Sequence, residues 1–183
     1  MSPLLVNRSS RSAVAIVPPD SVWEPINAIR KKHDNQLARW MPHINLVFPF
    51  VHPDALDEER ERLAEVSAAV GAWEVTLSTV RHFQQSSNRA TLWLDPQPRE
   101  PLEALHAGLV AQYPHLDTSQ RFESGFTPHL IVGQTKTLLL GRRLVDELNE
   151  AWQPLTFEVD ALSVLRRDTD GLFEVAFRVD LTG

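Results

Sequence analysis

Hydrophobic and polar positions along the chain follow two periods, and the switches between them lay out the elements. Residues 13–17 (AVAIV) are apolar and rich in β-branched side chains, and they stop at Pro18-Pro19, the pattern of a buried strand ending at a turn. Ser21 and Glu24 then have capping-box spacing, and Trp23, Ile26 and Ile29 recur at helical spacing up to about residue 34. Residues 44–51 read as strand, and Asp54 opens a helix whose Leu56, Leu63, Val66 and Val70 form a stripe that Gly71 ends. Two strands, 73–83 and 90–94, flank the polar turn QQSSN as a hairpin. Leu102, Leu105 and Leu109 mark a helix over 100–113, followed by a strand over 128–133 and a helix over 139–152. The chain closes with strands over 155–165 and 172–181, joined by DTDG, whose Asp-Gly favours a tight turn.

This order divides into two copies of one pattern. AVAIV, a helix, PHINLVF, a helix and WEVTLSTV form the first; ATLWL, a helix, PHLIVG, a helix and LTFEVDALSVL form the second. A repeat of about 90 residues, present twice, is too long and too few for a solenoid. The pattern predicts an α/β (α+β) fold of duplicated, pseudo-symmetric lobes, with an antiparallel-rich sheet in each lining a central cleft and helices outside. Residues 1–12 are expected to be a loose tail, and residues 13–183 a single bilobal domain of two intertwined lobes.

Composition narrows the chemistry. With 43% hydrophobic residues the chain builds an ordinary core, and a formal charge of -6 supplies no field that would gather long DNA or an anionic membrane. Any nucleic-acid partner is expected to be short, such as an RNA end or a small nucleotide. The absence of cysteine excludes disulfides and thiolate metal sites, which suits a cytoplasmic location. The N-terminal apolar run is too short for a secretory signal, and no stretch approaches the length of a membrane span. A monomer is expected. No metal or other cofactor is implied: the histidines lack HExxH spacing, and neither a GxxxxGK loop nor a GxSxG elbow is present.

The candidate chemistry lies on His43 and His129, each preceded by proline at the entry of a strand and each at the same place in its copy. Alternation along a strand puts Asn45 on the face of His43, and Thr127 and Ile131 on the face of His129. Ile44, Leu46, Leu130 and Val132 then point into the core. Two imidazoles facing one cleft divide acid and base work near neutral pH, which is the demand of phosphodiester chemistry. Asn45 and Thr127 are candidates to hold the non-bridging oxygens. Trp40 is a candidate to stack on a base. Arg81 and Arg167, at corresponding hairpins, are candidates to reach the substrate, and Arg30-Lys31-Lys32 reads as the exposed end of a helix.

At RWMPHINLVFPF and FTPHLIVGQ the sequence resembles the two-histidine (2H) phosphoesterase superfamily, which includes 2′,5′ RNA ligase-like and cyclic phosphodiesterase-like proteins. The resemblance covers nearly the whole chain from Ala13 onward. It implies a bilobal fold, general acid/base catalysis by His43 and His129 without metal, and phosphate-binding hydroxyls two residues after each histidine. This chain departs there: Asn45 at the first position still donates a hydrogen bond, whereas Ile131 at the second cannot. The expected function is hydrolysis of 2′,3′-cyclic phosphate or 2′,5′-phosphodiester in RNA ends or small nucleotides. The alternative is a catalytically impaired RNA-end or nucleotide-binding module.

Overall fold

The structure, a computed structural model, describes residues 8–85 and 87–183. Of the expected tail, residues 1–7 lie outside the described residues. Strand β1 (Arg8–Ser9) pairs with β4 (Phe50–Val51), and Ser12 already opens β2 (Ser12–Ile16). The remaining strands and α-helices among the described residues are α1 (Trp23–His33), β3 (Ile44–Val47), α2 (Arg60–Ser67), β5 (Trp73–Gln84), β6 (Ala90–Gln97), α3 (Glu100–Gln112), β7 (Leu130–Thr135), α4 (Leu138–Ala151), β8 (Leu155–Val159), β9 (Ala161–Arg166) and β10 (Glu174–Asp180). Among the described residues no helix is long and apolar enough to cross a membrane.

Several expected boundaries move for identifiable reasons. The capping box at Ser21 and Glu24 does not form: a 3-10 turn over Asp20–Val22 leads into α1, and no side chain caps it. Trp23 anchors this entry instead, its indole N–H donating to the Pro18 carbonyl at 2.8 Å. The strand expected over 44–51 is split at Phe48-Pro49, because proline has no N–H for the ladder. The helix expected from Asp54 begins as a 3-10 stretch, Pro53–Glu59, and becomes α-helical only at Arg60. The strand expected over 155–165 is two strands parted by Asp160, and they pair at far ends of the sheet.

Eight strands form one antiparallel sheet in the order β10-β9-β2-β3-β7-β6-β5-β8. A pseudo-dyad passes between β3 and β7, which meet at one bridge, Ile44 to Leu130. Each four-stranded half thus forms one lobe, and the halves splay from that bridge to leave a cleft. The third strand expected in the first copy, β5, pairs with β6 and β8 and so belongs to the second lobe, while β9 pairs with β2 in the first. Since only Asp160 separates β8 from β9, the sheet curls until its edge runs back into the opposite half.

The helices are exchanged as well. α1 precedes β3 in sequence but packs on β7, and α3 precedes β7 but packs on β3. Gly133 on β7 shows how close this approach is: a Cβ there would lie 2.6 Å from His33 Cβ at the end of α1. Ile44, Leu46, Leu130 and Val132 are buried in the main core between sheet and helices. A smaller cluster, Ala13, Ala15, Leu165 and Phe173, with Trp40, Met41 and Phe48 against it, packs on the other face of the first half-sheet.

Candidate active site

His43 and His129 stand immediately before β3 and β7, and the Ile44–Leu130 bridge sets them around the dyad. Antiparallel pairing puts Asn45 opposite His129 and Ile131 opposite His43. Four side chains therefore share the concave face where the two lobes meet.

Both rings are held by the same local bond. His43 Nδ1–H donates to the Met41 carbonyl at 2.8 Å, and His129 Nδ1–H donates to the Thr127 carbonyl at 2.7 Å. A carbonyl accepts and never donates, so each neutral ring carries its proton on Nδ1 and presents the lone pair of Nε2. Asn45 Nδ2–H donates to Nε2 of His43 at 3.2 Å, and its buried Oδ1 has no partner among the described residues. Burial pushes the His43 pKa down to about 4, with Arg30 and His129 acting in the same direction against the Met41 carbonyl and Asp34. Burial also lowers that of His129, opposed by the Thr127 carbonyl.

Aromatic rings back each histidine. In the first lobe His43 stacks on Trp40 (centroids 4.4 Å apart), Trp40 stacks on Phe173 (3.5 Å), and the Arg167 guanidinium lies 5.2 Å over Phe173. In the second, Phe83 and Trp93 stack at 4.6 Å, and His129 meets Phe83 edge-on at 5.1 Å. Trp40, expected at the substrate, is thus committed to the internal stack. Arg167 caps the same stack, and its buried Nε has no partner among the described residues. Arg81 donates to Oδ2 of Asp95 at 2.7 Å; that carboxylate is only 1% exposed and also receives Arg99 at 2.8 Å. Asp95 therefore holds Arg81 beside Trp93, its cross-strand neighbour.

Arg30 is not the exposed helix end that the sequence implied. Its guanidinium pairs with Asp34 at 2.8 Å, with the side chains 3% and 2% exposed, and donates to the Trp40 carbonyl at 2.9 Å. Asp34 in turn accepts from the Gln36 backbone N–H and from Gln134 on β7. This buried pair fixes the segment leading to His43 against the second lobe. The i,i+4 spacing of Arg30 and Asp34 was its only sequence signal.

A cavity of about 430 Å³ opens beside His129. Asn45, Phe83, His106, Phe126, Thr127 and Ile131 line it, together with the 118–125 loop, whereas His43 and Trp40 do not. Ile131 is half-buried and turns its side chain into this space. Among the described residues no group of three or more His, Cys, Asp or Glu is arranged to hold a metal ion.

A fold of two half-sheets with a histidine at the head of each central strand is that of a known class. The model of the 2′-5′ RNA ligase superfamily matches residues 18–171, and the chain belongs to that superfamily. A Staphylococcus haemolyticus protein with the provisional designation phosphoesterase is 24% identical over 158 residues, covering 86% of this chain and 90% of its own. Among solved structures, TT0787 of Thermus thermophilus aligns with a TM-score of 0.64 at 15% identity, covering 94% of this chain and 98% of that one. Escherichia coli LigT complexed with 3′-AMP aligns with a TM-score of 0.57 at 20% identity, covering 95% and 98%. The relatives support phosphoesterase chemistry, and the solved structures share the fold.

Proposed function

We propose that the protein is a metal-independent phosphodiesterase acting on 2′,3′-cyclic phosphate or 2′,5′-linked ends of RNA or small nucleotides. The observation that carries this reading is the matched pair of Nδ1–H bonds to carbonyls beside dyad-related strands, which leaves Nε2 of each ring as its proton-transfer atom. One ring takes the proton of water as its oxygen attacks phosphorus. The other gives a proton to the sugar oxygen as its bond to phosphorus breaks. One water is consumed, and both rings return to their starting protonation by exchange with solvent.

Burial makes both imidazoles favour the neutral form, so the acid must be created by the substrate. An anionic phosphodiester within a few ångströms favours the charged imidazole and opposes desolvation, so binding and protonation occur together. Asn45 donates to His43 and can turn that N–H to a phosphate oxygen when one arrives. Thr127 offers the hydroxyl that Ile131 lacks. The LigT structures with 3′-AMP and with phosphate give the same chemical class of ligand on the same fold.

Incubation of the purified protein, in EDTA, with nucleoside 2′,3′-cyclic phosphates and 2′,5′-dinucleotides tests the proposal. Turnover that falls by roughly 10²–10⁴ in His43→Ala and in His129→Ala is expected for lost general acid or base. Saturable binding without turnover would instead favour a nucleotide-binding module, the reading that Ile131 keeps open.

A further inference from the structure

The second helix of each copy, α2 in the first lobe and α4 in the second, is finished differently on its outer side. On α2 both arginines are paired nearby: Arg60 donates to Asp57 at 2.9 Å and Arg62 to Glu59 at 3.1 Å, while Gln112 of α3 donates to Glu65 at 3.1 Å. α3 also packs directly on α2, since a Cβ on Gly108 would lie 3.1 Å from Val66 Cγ1. In the second lobe α1 and α4 leave between them a groove of about 330 Å³, lined by Ile29, Lys32, Leu144, Glu147 and Leu148. Gly141 fixes which way α4 faces: a Cβ there would lie 2.5 Å from Ala90 Cβ, so this side of the helix rests on β6. Helical spacing then turns Leu139, Arg143, Asp146 and Glu150 outward, and Leu140 and Glu147 toward the groove. All are exposed, Leu139 at 62% and Leu140 at 51%.

We propose that this face of α4 is the interface of a symmetric dimer, in which α4 of one copy lies antiparallel on α4 of a second copy of this chain. Charge selects this partner. The bases of α4, Arg142 and Arg143, come early in the helix, and its acids, Asp146, Glu147 and Glu150, come late. The helix dipole favours the reverse order. Spacing of i,i+4 offers Arg142 to Asp146 and Arg143 to Glu147, in the less favourable orientation, yet among the described residues none of these side chains forms an ion pair. A second copy corrects the order. Across a two-fold axis at the middle of the helix, the basic half of each α4 faces the acidic half of the other, Arg143 comes opposite Glu147, and the two dipoles run antiparallel. Leu139 and Leu140 then close over the last turn of the second copy, at Ala151. The formal charge of -6 on each copy opposes association at long range, but at about 0.15 M salt that repulsion is screened beyond about 8 Å, so local pairing decides. A helix of 14 residues, about 21 Å long, gives a contact at the small end of specific interfaces, below about 1,200 Å², so the association is reversible. α4 covers the face of the sheet opposite His43 and His129, and pairing leaves both clefts open.

Sedimentation velocity of the full chain from about 1 μM to about 500 μM, at about 0.15 M salt, tests the proposal. The sedimenting mass should rise with concentration from one chain toward two. Arg143→Glu and Glu147→Arg each set like charges opposite one another at two symmetric places, and each should weaken the dimer by about tenfold or more. Mixed in equal amounts, the two variants bring opposite charges together again at both places. The mixture should therefore dimerise at a concentration where neither variant does so alone. Both substitutions replace exposed side chains, and thermal melting checks that the variants are folded. A single chain at every concentration, the state expected from the sequence, overturns the proposal. A dimer that neither swap weakens overturns it as well, because the contact then lies on another face. Swapped variants that weaken the dimer singly but stay monomeric when mixed overturn the antiparallel pairing of the helices.

Discussion

In the ligand-free protein His43 should be a source of acid instability, and the size of the effect follows from its surroundings. Its folded pKa is pushed from the ordinary 6.5 down to about 4. Above pH 6.5 the ring is neutral in both folded and unfolded chains, and its contribution is fully present. As pH falls from 6.5 toward 4 the unfolded chain takes up a proton that the folded chain refuses, and stability declines. At about 1.4 kcal/mol per pH unit, the full interval amounts to roughly 3 kcal/mol. For a chain of this size each kcal/mol moves the melting temperature by about 2–4 °C, so the loss is about 6–12 °C. The assay is thermal melting of wild type and His43→Gln at half-unit steps from pH 8 to pH 4. Subtracting the two curves removes the carboxylates and other histidines common to both, and the difference should emerge between pH 6.5 and pH 4. Inorganic phosphate should shrink it in wild type, because a bound anion raises the pKa of the ring. Parallel curves for the two proteins would refute the claim that burial holds His43 neutral.

Ile131→Thr should raise kcat on a cyclic phosphate by tenfold or more if the new hydroxyl gains a charge-assisted bond of about 1.5–3 kcal/mol in the transition state; unchanged turnover in a folded variant would show that Thr127 already serves. Arg30→Met leaves Asp34 buried without its partner and should lower stability by about 3–5 kcal/mol, read as a reduced urea midpoint. The pH profile of kcat/KM should be bell-shaped and indifferent to chelators, as two titrating rings require; activity lost to EDTA and restored by a divalent ion would count against the mechanism.

The strands that carry the site were legible because alternation is a local property. Ile44, Leu46, Leu130 and Val132 face the core as the pattern implies, and matching Pro-His dipeptides locate the dyad. What could not be read depends on partners distant in sequence. Trp40 looks available for a ligand until Phe173 is placed 3.5 Å from it. Arg30 looks solvated until Trp40 and Asp34 close around it. Residues 155–161 alternate apolar and polar straight through Asp160, so nothing at that residue marks it as the point where the chain passes between lobes. The stack of Phe126 on His106 joins two elements that no local pattern brings together.

The exchange of α1 and α3 bears on how the chain becomes ordered. If each copy had kept its own helices, the first could fold while the second was still being made. Here α1 waits for β7, and β2 waits for β9, so the first copy cannot cover or complete its own sheet. Long-range closure must come before the first lobe is buried, which favours late, cooperative ordering of that lobe over folding from the N-terminus onward. A chain cut in the segment between α2 and β5 would give a first piece that is unfolded alone and gains structure only when the second, which carries β5 to β10, is added, with the return of the two-histidine cleft reporting their reunion.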